Sequence, residues 1–247
     1  MIFMQFYTSK IISQKKIAPN IFHLTVKKND EMVAPGQFYM LKAWDDSLPL
    51  MRPISVYNVE NDTLHFLYKI VGKGTERLSL LKKDEEIELL GPLGNGFPCH
   101  EVSGKIALVG GGIGIPPLFE TAKQLTKNGC NVDVFLGYKD ELFAFEPFEE
   151  ICDHIFIAAE NGEEGYKGFV TDIFQPQNYN AVFTCGPEIM MMKVKQICDN
   201  EQIPVWLSME NRMACGIGAC LVCTSKTIEG MKRCCKDGPV FSGKYFS

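Results

Sequence analysis

Lys105–Phe119 reads KIALVGGGIGIPPLF, and the fold turns on how this stretch is parsed. KIALVGG has the composition of a strand buried on both faces. The prolines at 116 and 117 then open PPLFETAKQLTKNG, a helix closed by Gly129, because proline suits the first helical position and glycine the residue past the last. NVDVFLGY, from Asn131, is the next buried strand, so the segment is a βαβ unit. Apolar runs at HIFIAA, AVFTCG and PVWLSM alternate with helical stretches near Phe145 to Cys152, Gly168 to Phe174 and Pro187 to Asn200. An open parallel sheet is expected.

Upstream the rhythm differs. From Gln5 to about Leu93, short β-type runs (FYTSKIISQKKI, IFHLTVKK, GQFYMLKA, RPISVYNVE, TLHFLYKIV, EIELLGPLG) are punctuated by Pro, Gly and Asn, the spacing of a small antiparallel barrel. One short helix is expected around Thr75 to Leu81. Downstream, Glu210 to Ser247 is rich in Cys and Gly with little periodicity, and such a segment needs a cross-link or a metal to order it. The expected fold class is α+β and multi-domain: an antiparallel β-barrel, an α/β parallel-sheet domain and a small C-terminal cysteine domain.

Composition narrows the function. A chain of 247 residues with 46% hydrophobic content can bury real cores, which excludes a disordered protein. The net charge is −5 with Lys and Arg scattered, so no stripe exists to follow a phosphate backbone and nucleic acid is not an expected partner. The most apolar stretch, Ile106 to Phe119, is 14 residues broken by four glycines and two prolines, against about 20 apolar residues for a membrane span. MIFMQFYTSK lacks a basic leader before an apolar core, so a cytoplasmic protein without a membrane association is expected. In a reducing compartment clustered thiols mark a metal or redox site, and five of the ten cysteines fall in the last 33 residues. Cys99, Cys130, Cys152 and Cys198 lie apart and read as small buried side chains. His23, His65, His100 and His154 have no ligand spacing and read as structural.

Cys215, Cys220 and Cys223 form C-x4-C-x2-C, with Cys234 or Cys235 as a fourth sulfur. This is the plant-type [2Fe-2S] arrangement. Gly216 and Gly218 let the loop fold closely around a cluster and aim N–H groups at its sulfides. Zinc more typically takes two C-x2-C pairs. Adjacent residues of an extended segment point opposite ways, so only one of Cys234 and Cys235 reaches the metal, and spacing alone does not choose.

VGGGIGIPPL joins a strand to a helix, where the N–H groups of Gly111, Gly112 and Gly114 and the helix terminus can hold a pyrophosphate. It departs from G-x-G-x-x-G, since the last place falls on Ile115 or Pro117, and a tight turn without a ligand is the alternative. TCGPEIMM lies at another strand end. There Gly186 and Pro187 approach the same ligand, and Cys185 reads either as a border to a nicotinamide or as a structural thiol. The methionines of EIMMMKVKQ have helical spacing and read as core. In MRPISV, Arg52 can pair a phosphate and Ser55 can bond a ring edge. LYKIVGKGT then enters a turn and helix start at Gly74-Thr75 suited to a second phosphate contact.

The order Arg52-Pro53-x-Ser55, Gly74-Thr75, Gly110 to Gly114, Cys185-Gly186-Pro187 resembles the ferredoxin-NADP reductase superfamily, an FAD barrel followed by a nicotinamide-binding α/β domain. MENRMACGIGACLVC with CCKDGPVF is similar to the electron-transfer subunits of class 1B dihydroorotate dehydrogenase, and the resemblance runs over essentially the whole chain. It implies an FAD-binding barrel at 1–100, an NAD-binding domain at 101–209 and a [2Fe-2S] tail at 210–247. It carries FAD contacts onto Arg52, Pro53, Ile54 and Ser55, onto Leu67, Tyr68 and Lys69 chiefly through the backbone, and onto Gly74 and Thr75. It makes Cys235 the fourth cluster ligand. It further implies an FMN-containing catalytic subunit as partner, two copies of each chain, and electron flow from dihydroorotate through FMN, cluster and FAD to NAD+. An alternative within the superfamily is the flavin subunit of an NAD(P)H:ferredoxin or sulfide-linked oxidoreductase, and one outside it is a zinc-stabilised binding module. After the second strand of the sheet, YKDELF places Asp140 and Glu141 where acids would repel a 2′-phosphate, which favours NAD.

Overall fold

Strands β1 (Gln5–Ala18), β2 (Ile21–Lys27), β3 (Phe38–Lys42), β4 (Arg52–Glu60), β5 (Thr63–Lys69) and β6 (Glu86–Leu93) close an antiparallel barrel in the order β1-β2-β5-β4-β3-β6. A computed structural model describes residues 4–44, 48–162 and 164–246. Alternation along the strands sends Leu24, Tyr39, Val56, Phe66, Tyr68 and Leu89 into the barrel interior. Helix α1 (Lys73–Ser79) bridges β5 to β6 and starts two residues before the expected position, because the Thr75 hydroxyl accepts from the N–H groups of Val71 and Gly72 and organises the turn.

The second layer is a seven-stranded sheet, ordered β10-β9-β8-β7-β11-β12-β15. Its parallel members are β7 (Lys105–Gly111), β8 (Asn131–Tyr138), β9 (His154–Ala159), β10 (Tyr166–Lys167), β11 (Ala181–Cys185) and β12 (Val205–Ser208). Helices α2 (Pro117–Lys127), α3 (Glu146–Glu149), α4 (Val170–Ile173) and α5 (Glu188–Asn200) make the connections. Helices α3 and α4 are single turns, shorter than the sequence predicts. The backbone at Phe169 is extended and Gly168 has φ of 146°, so the chain turns into α4 only at Val170.

Beyond the sheet, β13 (Thr224–Thr227) and β14 (Gly230–Arg233) form a hairpin, and β15 (Val240–Ser242) returns to pair antiparallel with β12. The tail therefore completes the sheet edge, which its weak periodicity did not show. One buried cluster joins Phe38, Met40 and Leu93 of the barrel to Val205 and Leu207 of the sheet and to Cys223, Cys234 and Cys235 of the tail. A second joins barrel residues Ile21, Tyr57 and Leu67 to the α2 side of the sheet.

At the amino ends of the parallel strands the buried Asp133 carboxylate accepts from Lys105 Nζ (2.8 Å), Tyr179 Oη (2.7 Å) and His154 Nδ1 (2.9 Å). Strand order reverses between β7 and β11, so the crevice for a ligand opens at their carboxyl ends.

Candidate functional site

On the barrel, β4 brings Arg52 over the start of α1. A Cβ on Gly74 would fall 2.2 Å from Arg52 Nε, so only glycine lets the guanidinium lie across the helix. Arg52 also donates to the carbonyls of Leu50 and Met51 and sits 5.3 Å from the Trp44 ring centroid. The first N–H groups of α1 have no acceptor within the helix, and with the guanidinium they form a corner of donors whose chemistry suits a phosphate. Arg52, Pro53, Ile54 and Ser55 are each partly exposed, leaving this length of strand open to a ligand. On β5, Leu67 is buried against the sheet side and Lys69 is exposed, while Tyr68 points into the barrel and donates to Gln14 Oε1 at 3.2 Å. Tyr68 can therefore reach a ligand through its backbone alone. The donor set and the glycine cradle fit an FAD.

At the sheet, the two strand-end motifs press together. A Cβ on Gly114 would lie 2.5 Å from Gly186 Cα and 2.6 Å from the Cys185 carbonyl carbon. Gly111, Gly112, Gly114, Gly186, Pro187 and Glu210 line a crevice of about 350 Å³. Gly111, Gly112 and Pro187 are shared with a second cleft of about 490 Å³, walled by Tyr138, Lys139, Glu160, Phe169, Ile189 and Lys193. Two lobes meeting at a glycine pair fit a dinucleotide whose pyrophosphate sits at the junction. Cys185 lies behind this surface, 2% exposed, and burial pushes its thiol up to about 12. Burial does the same to Cys99, Cys152 and Cys198. Met191 is core, as its spacing predicts, whereas Met190 lines the larger cleft. Among the described residues the acidic side chain on that cleft is Glu160, which the sequence reading did not single out; it lies just past β9, one strand beyond the YKDELF turn.

In the tail, the sulfurs fall into two pairs. The Cys220 N–H donates to Cys215 Sγ, and the Cys235 N–H donates to Cys223 Sγ, each at 3.4 Å. Burial raises the Cys215 thiol, but the backbone N–H groups of Cys220, Ile217 and Ala219 outweigh it and bring it down to about 6, which makes it a thiolate at neutral pH. Cys235 is pushed up to about 12 by burial and by its neighbour Cys223, so a metal there displaces a proton. Among the described residues no three His, Cys, Asp or Glu side chains converge as one ion requires. Two pairs of thiols fit a two-iron cluster better than a single zinc. Cys234 faces elsewhere, taking a bond from Asn211 Nδ2 at 3.4 Å with Ser225 Oγ at 3.3 Å.

Arg233 was not anticipated. Its guanidinium donates to both Asp237 oxygens (2.9 and 3.0 Å) and to the Gly218 carbonyl (3.2 Å), tying the loop of Cys215 and Cys220 to that of Cys235. A Cβ on Gly216 would meet Met40 Cγ at 2.7 Å, and Met40 pairs with Pro53 of β4. The cysteine loop thus rests on the strand next to the Arg52–Ser55 corner.

Residues 210–246 match the model of a family described as the iron–sulfur cluster binding domain of dihydroorotate dehydrogenase B. An electron transfer subunit of dihydroorotate dehydrogenase B (NAD(+)) from Clostridium acetobutylicum is 48% identical over 239 residues, covering 97% of this chain and 96% of that one. The chain belongs to this family of electron transfer subunits. The corresponding subunit from Clostridium perfringens is 43% identical over 242 residues, with 97% of each chain covered. Among solved structures, a chain of the NADH-dependent reduced ferredoxin-NADP oxidoreductase superimposes with a TM-score of 0.86 at 30% identity, covering 97% of this chain and 89% of that one. The ferredoxin reductase of carbazole 1,9a-dioxygenase shares the fold, with a TM-score of 0.64 at 18% identity over 81% of this chain and 65% of that one. The barrel, parallel sheet and cysteine tail are those of a ferredoxin-reductase-like oxidoreductase. No helix among the described residues is long and apolar enough to cross a membrane.

Proposed function

We propose that this chain is the electron-transfer arm of a dihydroorotate dehydrogenase in pyrimidine biosynthesis, delivering electrons from an FMN-containing catalytic subunit to NAD+. Arg52, Pro53, Ile54, Ser55, Gly74 and Thr75, with the backbone of Leu67 to Lys69, hold FAD. Gly111, Gly112, Gly114, Gly186 and Pro187 hold the NAD pyrophosphate, with Cys185 as a neutral support behind them. Cys215, Cys220, Cys223 and Cys235 hold the [2Fe-2S] cluster. A flavin exchanges electrons in pairs with a nicotinamide and singly with an iron–sulfur centre, which is the chemistry these groups supply. The chain itself needs no acid, base or nucleophile; its residues bind, orient and exclude water.

The exposed Cys220 is flanked by Leu221 and Val222, with Ile217 nearby, all three exposed. This apolar rim is the face for the catalytic subunit, with two of each chain in a cytoplasmic assembly. The observation that carries the reading is the end-to-end match to the Clostridium acetobutylicum subunit. Co-expression with the catalytic chain tests it: the purified complex is expected to contain FMN, FAD, iron and acid-labile sulfide and to reduce NAD+ with dihydroorotate. A loaded complex that turns over only with ferredoxin would move the chain to the ferredoxin-linked alternative.

A further inference from the structure

The crevice at the glycine loop and the corner at Arg52 belong to different layers, and a hydride moves between two rings only when they are held within contact distance. What sets that distance is visible at the far end of β4. Strand β3 pairs with β4 over Arg52–Ser55, while β5 pairs on the other side from Val56 to Glu60 across a bulge. Past Ser55 no strand among the described residues pairs with the β3 side of β4. Helix α2, which begins at the glycine loop, fills that place with side chains. Glu120 Oε2 accepts from the Val59 N–H at 2.9 Å, and Lys123 Nζ donates to the Val59 carbonyl at 3.1 Å. Both main-chain groups of one strand residue are thus satisfied by one helix, as a neighbouring strand would do.

Lys123 also bonds Glu120 Oε2 at 3.0 Å and the buried Asn58 Oδ1. One turn closer to the loop, Phe119 stacks on Tyr57 with centroids 5.1 Å apart. The side chains are only 14% (Glu120) and 31% (Lys123) exposed, so solvent weakens the pair less than it would a surface ion pair.

We infer that Glu120 and Lys123 are positioning residues for hydride transfer: they dock the helix that follows the pyrophosphate loop onto the strand carrying the flavin corner and so fix the separation of the two rings. The inference rests on the electron-transfer reading above, in which a hydride passes from the reduced flavin to NAD+, leaving FAD; the same ring separation governs the reverse step, NADH and FAD giving NAD+ and a two-electron-reduced flavin, which the test follows.

The test uses the loaded complex carrying Lys123→Met or Glu120→Leu. The limiting rate of flavin reduction at saturating NADH is expected to fall about tenfold or more. FAD, iron and sulfide content and flavin reduction by dithionite are expected to stay at parent levels. Hydrogen exchange at the Val59 amide is expected to accelerate, and Lys123→Arg, which keeps a donor, to restore the rate. A limiting rate equal to the parent's in both variants overturns the inference. Should Lys123→Met fail to fold, Glu120→Gln decides. It keeps an acceptor for Val59 but removes the charge, so a fall of about threefold is expected, and no fall overturns the inference. If the parent complex holds FAD but NADH does not reduce it, the electron-transfer reading fails instead, and Val59 exchange still reports whether the pair docks the helix.

Discussion

At the carboxyl ends of β7 and β11 backbone packing alone shapes the crevice. Gly114 and Gly186 are in contact, the strands behind them are buried, and Asp133 fastens the opposite, amino ends of the strands. The cysteine tail is built the other way. Its hairpin exposes Ile228 and Met231, its ligand loop exposes Ile217, Leu221 and Val222, Arg233 ties its two sulfur loops together, and the tail is held to the rest of the molecule by β15 on β12 and by Gly216 against Met40. The contrast separates a preformed site, which a ligand enters, from one that its metal finishes.

Removing one ligand breaks this contrast most sharply. Cys223→Ser is expected to abolish the cluster, seen as loss of iron, of sulfide and of the absorbance beyond the flavin bands, while FAD stays bound, because Arg52 and Gly74 belong to a separate segment. Cys234→Ser is expected to keep the cluster, since its sulfur bonds Asn211 and sits near Ser225. A cluster lost in Cys234→Ser and kept in Cys235→Ser would reverse the ligand assignment. On the preformed side, Asp133→Ala removes the acceptor of the buried Tyr179 hydroxyl, while Lys105, 39% exposed, can turn to water, a loss of about 2 kcal/mol. Burial alone would raise the Asp133 carboxyl, but bonds from Lys105, Tyr179 and His154 together hold it below the ordinary value. Its contribution is therefore complete above about pH 4 and fades as the pH drops through the depressed pKa. Denaturant melts of parent and variant should converge in acid; a gap that widens there would contradict the assignment.

How much of this was legible follows from how local each signal is. KIALVGG announces a buried parallel strand because its neighbours in sequence are its own evidence, and Cys215, Cys220 and Cys223 declare a cluster because three ligands share one loop. Spacing leaves Cys234 and Cys235 equivalent, and the contacts of Cys234 with Asn211 and Ser225, which distinguish the two sulfurs, are not encoded in it. Arg233 has a near partner in Asp237 and Lys123 one in Glu120, but the contacts that join separate segments, Arg233 to Gly218, Lys123 to Val59 and Glu160 to the cleft, lie too far apart in sequence to form a pattern. Strand β15 is three residues long and is a strand only because β12 offers it an edge.

Arg233→Met tests the tail by a smaller step, because every ligand remains. Without the guanidinium, the Gly218 carbonyl and Asp237 lose their shared donor, and the two sulfur loops are free to separate. Release of iron to a chelator is expected to accelerate about tenfold, with flavin content unchanged. Release at the parent rate would mean that the cluster alone holds the loops together.

The smallest effect belongs to the preformed cleft, where a change of charge should alter selectivity without altering the fold. Glu160 stands on the wall of the larger lobe with Lys139 and Lys193, and a carboxylate there accepts from a ribose 2′-hydroxyl but repels a 2′-phosphate. Asp140 and Glu141, one strand earlier, do not line that lobe, so Glu160 is the acid whose charge the test changes. Glu160→Arg is expected to move the NADPH to NADH ratio of kcat/KM about tenfold toward NADPH, since the new guanidinium pairs the phosphate, while melting temperature and cluster content hold. The two lysines already on the wall limit the gain, because part of the phosphate charge is met in the parent. If NADH is weakened with no gain for NADPH, the adenosine does not lie against Glu160, and the two-lobed path for the dinucleotide must be redrawn from Gly112 outward.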